Sequence, residues 1–310
     1  MDKIAFLSSK ALDSLNDLAL KPNLLLLSLN IASLPKHFDD LEIFLSRLCH
    51  QPDIIALTET RLSIGEEHSF QMHGYQGFFR SRNDKKPGGV CIYIKNTMVG
   101  KEVSHQLSSA ESLFLEIELG SRVNKVPHRN SIVLGVIYRH PNSNRELFLQ
   151  DIETVILEIG TKKSILAGDW NIDKLSSSPV ATSLADLLHS AGYQDLILKL
   201  PTRITPASAT SIDVIYSSMI SYTQAGTVKV PISDHLPLYA AIYDESMIFS
   251  FEEPISEKSL IFDWRKYSKE QLLVELSKLD LESIIEIRCP SLALNSLVTK
   301  LKTAQRYFQQ

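Results

Sequence analysis

Between Leu24 and Tyr243, short β-rich apolar runs alternate with stretches whose apolar residues recur at helical spacing, and polar side chains break off the runs. Strands bury a face and helices bury a stripe, so a chain patterned this way folds as a layered α/β or α+β domain. Leu24 to Asn30 reads as a buried strand. Leu41, Phe44, Leu45 and Leu48 then fall on one helical face, and Ile54 to Thr58 reads as the next strand. After Gly88 and Gly89, runs over Val90 to Lys95, Leu113 to Leu119 and Ile132 to Tyr138 are expected to form one antiparallel meander. Phe148, Ile152, Val155 and Ile159 mark a helix, Ile165 to Gly168 a short strand opening a second sheet, and Leu184, Leu187, Leu188 and Ala191 another helix. Ile212 to Tyr216, Gly226 to Val230 and Leu238 to Ile242 supply three more strands. The expected class is α+β: two mixed sheets stacked face to face with helices outside.

Composition shifts after Asp244. Glu252, Glu253 and Pro254 mark a linker, followed by helices over Lys269 to Leu279 and Leu292 to Arg306. The expected organisation is a helical extension over 1–22, a main domain over 23–244, and a linker with a helical tail over 245–310. No repeat period is visible.

Bulk properties narrow the class. With 44% hydrophobic and 22% charged residues, the 310-residue chain has ordinary globular composition and length for a substantial core. Leu24 to Leu29 is too short to cross a bilayer, and Met1 to Lys10 lacks the apolar centre of a signal peptide, so an intracellular protein without membrane association is expected. Cys49, Cys91 and Cys289 are scattered and read as buried or inert thiols. The net charge of -4 does not favour nucleic acid, but a bound cation or a local patch such as Arg80, Arg82, Lys85 and Lys86 supplies positive charge on an acidic protein.

Chemistry enters where the apolar runs stop. Asn30 closes the first strand, Glu59 follows the second, and Tyr138 with Arg139 closes a third. Gly168-Asp169-Trp170-Asn171 follows a fourth, Ser211-Ile212-Asp213 opens a fifth, and Ser233-Asp234-His235 precedes the last. Carboxylates, amides and one imidazole at strand ends are the inventory of a metal-assisted hydrolase. Glu59, Asp169, Asp234 and the amide oxygens of Asn30 and Asn171 suit a hard cation such as Mg²⁺ or Mn²⁺. A metal with a carboxylate base meets the needs of phosphodiester cleavage: charge stabilisation, an activated water and an assisted leaving oxygen. Taken singly, a lone Glu after a strand is usually a solvated charge and a Ser-Asp-His triplet a turn or cap. The ordered set carries the signal. His37, His68, His128 and His189 fit no motif and carry no expected role.

In order and approximate spacing, these motifs resemble the series of the endonuclease/exonuclease/phosphatase superfamily, over roughly Leu24 to Tyr243. Leu29-Asn30-Ile31-Ala32-Ser33-Leu34-Pro35, Gly88-Gly89-Val90 and Pro201-Thr202-Arg203-Ile204-Thr205-Pro206 resemble the LINE-type non-LTR retrotransposon branch. The resemblance implies a DNase I-like four-layer sandwich. It implies that Glu59, with Asn30 and Asp234, binds the metal; that Asp169 deprotonates the attacking water; and that Asn171 orients it. It implies that His235 faces the phosphate, held by Asp213, with Tyr138 donating to a phosphate oxygen, and it places Arg139, Thr202 and Ser211 at the substrate. Abasic-site repair members carry an acidic residue where Ala32 stands and an aromatic near the Asp213 motif, where this chain has Thr210, Ser211 and Ile212. The implied activity is nicking of duplex DNA to leave a 3′-hydroxyl primer. DNA and a reverse transcriptase region of the same polyprotein are the implied partners, and a chromosomal target implies nuclear access. Two alternatives stand beside it: another phosphoester, such as a lipid, nucleotide or RNA tail, and a catalytically inactive binding module derived from a retroelement.

Overall fold

The computed structural model describes residues 15–16, 18, 22–82, 88–105, 107–119, 130–219 and 221–244. Backbone contacts group the chain into two compact units, Met1–Phe251 and Glu252–Gln310. The expected tail over 245–310, most of the extension over 1–22, and Lys85, Lys86, His128 and Cys289 lie outside the described residues.

In chain order the elements are β1 (Leu24–Asn30), α1 (Leu34–Ser46), β2 (Ile54–Thr58), β3 (Tyr75–Arg80), β4 (Val90–Lys95), β5 (Val99–Val103), β6 (Glu111–Leu119) and β7 (Asn130–Tyr138). There follow α2 (Arg145–Ile159), β8 (Lys163–Asp169), α3 (Pro179–Ser190), β9 (Gln194–Asp195), β10 (Arg203–Thr205), β11 (Ser208–Thr210), β12 (Asp213–Ser217), β13 (Tyr222–Thr227) and β14 (Leu238–Tyr243). Local chemistry sets the helix starts. Asn144 and Ser178 cap α2 and α3 by accepting the Leu147 and Ala181 N–H groups, and Pro35 and Pro179 sit in first turns where a missing N–H costs nothing.

Two six-stranded mixed sheets form, ordered β13-β14-β1-β2-β4-β3 and β5-β6-β7-β8-β12-β9. Each holds one parallel pair, β1 with β2 and β7 with β8, and α1 and α2 make the crossovers those pairs need. Alternation within β1 explains its unbroken apolar run. Leu24 and Leu26 join the core between the sheets, with Ile54, Ala56, Leu134, Val136 and Ile165, while Leu25, Leu27 and Leu29 pack with Leu41, Phe44 and Leu45 of α1. On the other side, Phe148, Ile152, Val155, Leu184 and Leu188 of α2 and α3 cover Val133, Ile137, Leu166 and Val214. Three cores between four layers are the expected sandwich.

The expected meander is corrected. Val90–Lys95 pairs with β2 and β3 in the first sheet, and the chain crosses to the second sheet at Val99, well before Ile165. Periodicity reports that both faces of these strands are buried, not which strand is the neighbour. Tyr75–Arg80 and Val99–Val103, half-exposed edge strands, lack the apolar run that marked the others. The strand expected at Gly226–Val230 lies over Tyr222–Thr227, and Cys49 is exposed although Cys91 is buried. No helix among the described residues is long and apolar enough to cross a membrane.

Candidate active site

The parallel pairs end on one rim. Asn30 stands opposite Thr58, one residue before Glu59, and Tyr138 stands opposite Asp169. Asp213, opening antiparallel β12, lies opposite Asp169 on its other side. Polar residues that follow separate apolar runs in sequence are therefore neighbours in space.

Asp169 occupies the centre and is 1% exposed. Gly168 precedes it with φ +127°, and a Cβ there would lie 2.2 Å from the Ile137 carbonyl oxygen, so only glycine lets β8 run this close to β7. One Asp169 oxygen accepts the Asn171 backbone N–H at 3.0 Å, the other the Asn30 amide at 2.8 Å. Burial first, then the Asp213 charge, raises the Asp169 carboxyl to about 7, against the opposing pull of His235 and Asn30.

His235 and Asp213 form a buried pair, with both Asp213 oxygens 2.8 and 3.0 Å from His235 Nδ1. Burial pulls the imidazole down, but the Asp213 charge and hydrogen bond outweigh it and raise His235 to about 9. Asp213 is itself braced: the Thr202 hydroxyl donates to Oδ2 at 2.7 Å while accepting the backbone N–H groups of Ile212 and Asp213. Ser233 donates to the Asn30 carbonyl at 2.7 Å and accepts the His235 backbone N–H at 3.1 Å, fixing the histidine turn to the end of β1.

Glu59 completes the rim. The Asn30 amide nitrogen bonds both Glu59 Oε1, at 3.1 Å, and Asp169 Oδ2, so two carboxylates approach one NH₂ group. Burial acts against the Glu59 charge, and hydrogen bonds from Arg61 and Asn30 outweigh it, leaving its pKa lowered. The buried Tyr138 phenol is raised, by burial and then by the Glu59 and Asp169 charges. This donor set fits a hard divalent cation, because the carboxylates of Glu59 and Asp169 converge on one amide group, with the Asp213 carboxylate close by. Asp169, Asp213 and His235 also each offer a ligand atom within 4.8 Å of one another. Both Asp213 oxygens face the His235 imidazole, whereas Glu59 and Asp169 approach each other across the Asn30 amide and are the better placed pair of carboxylates.

Asn30, Glu59, Tyr138, Asp169, Asn171, Asp213 and His235 are thus brought together, and four other expected site residues have protein surroundings of their own. Arg139, expected at the substrate, is wholly buried. Its guanidinium donates to the carbonyls of Trp170, His140, Ser143 and Asn171 at 2.7–3.1 Å, clamping the loop that carries Asp169. Thr202, also expected at the substrate, is buried and serves Asp213 instead. Ser211 is buried as well, its hydroxyl without a protein partner. Asp234, expected at the metal, is half exposed and accepts from Arg203 Nε at 2.8 Å. The suggested basic patch is neutralised in its described half, where Arg80 pairs with Glu102 and Arg82 with Glu111. Arg61, which no motif singled out, lies against Glu59, and its only sequence signal is its place in the polar break after β2.

Two stacked mixed sheets with carboxylates, a histidine pair and amides at one rim define a DNase I-like, phosphoester-hydrolysing enzyme. The chain belongs to the endonuclease/exonuclease/phosphatase family, whose model matches residues 27–235, more than half of its length. Among solved structures, it is similar to the endonuclease domain of TRAS1, a telomere-specific non-LTR retrotransposon, at 18% identity and TM-score 0.56, covering 71% of this chain and 98% of that one. The Neisseria 3′ phosphatase NExo, bound to a product DNA hairpin, matches at 17% identity and TM-score 0.55, covering 71% and 99%. The AP endonuclease LMAP of Leishmania major matches at 13% identity and TM-score 0.53, covering 76% and 99%. Among curated proteins, none matches this chain.

Proposed function

We propose that the chain is a divalent-metal-dependent endonuclease that nicks duplex DNA and leaves a 3′-hydroxyl, as the nuclease of a non-LTR retrotransposon. One observation carries the reading: hydrogen bonds join Glu59, Asn30 and Asp169 from both sheets into one chain, with the Asp213–His235 pair beside it. Glu59, with Asn30, would hold Mg²⁺ or Mn²⁺, which supplies charge stabilisation at the phosphate. Asp169 takes the proton of the attacking water, and Asn171, whose Nδ2 donates to the Arg139 carbonyl at 2.8 Å, presents its amide oxygen to orient that water. His235, held through Nδ1, turns its other nitrogen to the phosphate, and the un-ionised Tyr138 hydroxyl donates to an oxygen as charge develops there. Ala32, in place of a further carboxylate, and Thr210, Ser211 and Ile212, in place of an aromatic grip, favour unmodified DNA over an abasic site. The likeness to the TRAS1 endonuclease supports the same choice. DNA, a reverse transcriptase region of the same polyprotein and access to the nucleus follow from this role.

The substrate test offers supercoiled plasmid, an abasic-site duplex and a small phosphomonoester with Mg²⁺, and then extends the nicked plasmid with a DNA polymerase. Nicks in plain duplex that extend without phosphatase treatment support the reading. Hydrolysis confined to the phosphomonoester rejects it in favour of a phosphatase.

A further inference from the structure

Glu59, placed above at the metal, is not a vacant carboxylate. Arg61 Nη2 donates to its Oε2 at 2.7 Å while Asn30 donates to Oε1, so both oxygens are engaged. The pairing is built into the backbone. Glu59 and Arg61 both adopt left-handed φ, +51° and +55°, and the Thr60 and Arg61 N–H groups donate to the carbonyls of Gly89 and Gly88 at 3.2 and 2.8 Å. This turn brings two side chains separated by one residue to the same place. Thr60 is buried within it, and its hydroxyl lies 2.4 Å from where a Gly89 Cβ would stand, so Gly89 lets the two loops close on each other.

The Arg61 guanidinium is poorly settled there. Its Nε is buried without a hydrogen-bond partner, although 39% of the side chain is exposed. A guanidinium bound through one fork only, with a buried donor unmet, leaves its place at lower cost than a fully bonded one. Charge points the same way. Arg61 balances Glu59 and His235 balances Asp213, so the metal-free rim holds little unpaired negative charge apart from Asp169.

We propose that Arg61 is a built-in counter-ion that occupies Glu59 in the metal-free protein and is exchanged for the divalent cation. It is a positioning residue: it orients the Glu59 carboxylate, and the cost of displacing it lowers metal affinity. The proposal rests on Glu59 being a metal ligand, as the functional reading above has it.

Isothermal titration of Mn²⁺ into the EDTA-stripped and dialysed full chain at one fixed pH tests both. Arg61→Gln removes the competing charge and is expected to bind Mn²⁺ about tenfold more tightly than the parent, with Arg61→Lys between the two. In a Glu59→Gln background the Arg61→Gln change is expected to alter nothing. Thermal melting of each metal-free variant identifies any that fails to fold, and should Arg61→Gln fail, Arg61→Met, which also removes the charge, carries the comparison. Equal affinity in the parent and a folded Arg61 variant overturns the exchange while leaving Glu59 as a ligand. Undiminished Mn²⁺ binding by Glu59→Gln alone removes the assignment of Glu59 itself.

Discussion

The Asp213–His235 pair makes the stability of the metal-free protein depend on pH in a defined window. The pair raises His235 from 6.5 to about 9. A base whose folded pKa lies above its unfolded value stabilises the fold fully below the unfolded value, and that stability is lost as pH rises through the folded one. The loss therefore falls between about 6.5 and 9. The shift of about 2.5 units corresponds to about 3 kcal/mol, and with His235 only 4% exposed little of it is screened by solvent. Asp169, raised from its ordinary 3.8 to about 7, titrates mostly at lower pH and overlaps this window only at its lower edge. Urea unfolding in EDTA at pH 6.5 and 9 is the assay, on the parent and on Asp213→Asn. The parent is expected to lose about 3 kcal/mol more than the variant across that interval, because the amide no longer holds the imidazolium. Parallel pH profiles for the two proteins would refute the claim that Asp213 holds His235 charged.

Three further perturbations test how the site is held. Gly168→Ala places a methyl 2.2 Å from the Ile137 carbonyl and forces a left-handed φ on a side chain, so a loss of about 3 kcal/mol in urea unfolding is expected. Arg139→Met leaves four loop carbonyls without their donor, and an unfolding cost of about 3 kcal/mol with a fall in kcat is expected; an unchanged kcat would show that the Asp169 loop needs no clamp. Thr202→Val removes the hydroxyl that serves Asp213 and the backbone of Ile212 and Asp213, and is expected to cost about 2 kcal/mol in urea unfolding while lowering kcat and leaving KM unchanged. A raised KM at unchanged kcat would return Thr202 to the substrate.

Strand ends were legible in sequence because each is an apolar run bounded by a polar residue: Asn30, Glu59, Tyr138 and Asp169 sit where runs stop, and Asp213 where one begins. The rim was legible for the same reason, once the runs are stacked in two sheets. Pairing was not. Val90–Lys95 and Leu113–Leu119 have the same buried pattern but belong to different sheets, and the chain changes sheet at the turn after Lys95, before edge strand Val99–Val103. Edge strands Tyr75–Arg80 and Val99–Val103 carry mixed exposure and give no clean period. Residue roles were hidden wherever a partner is backbone or distant in sequence. The carbonyls that hold Arg139 and the carboxylate that holds Thr202 have no local signature, so both looked like substrate contacts. Arg61 was hidden because its function depends on two left-handed residues in a turn that composition does not reveal.

The most direct measurement is conversion of supercoiled plasmid to open circle in Mg²⁺, with Asp169→Ala, His235→Ala and an EDTA control alongside. Nicking by the parent, abolished by EDTA and by each substitution in folded protein, is the expected result. Nicking that persists in both variants, or a folded and metal-loaded parent that leaves the plasmid intact, would contradict the assignment of this rim as a DNA-cleaving site.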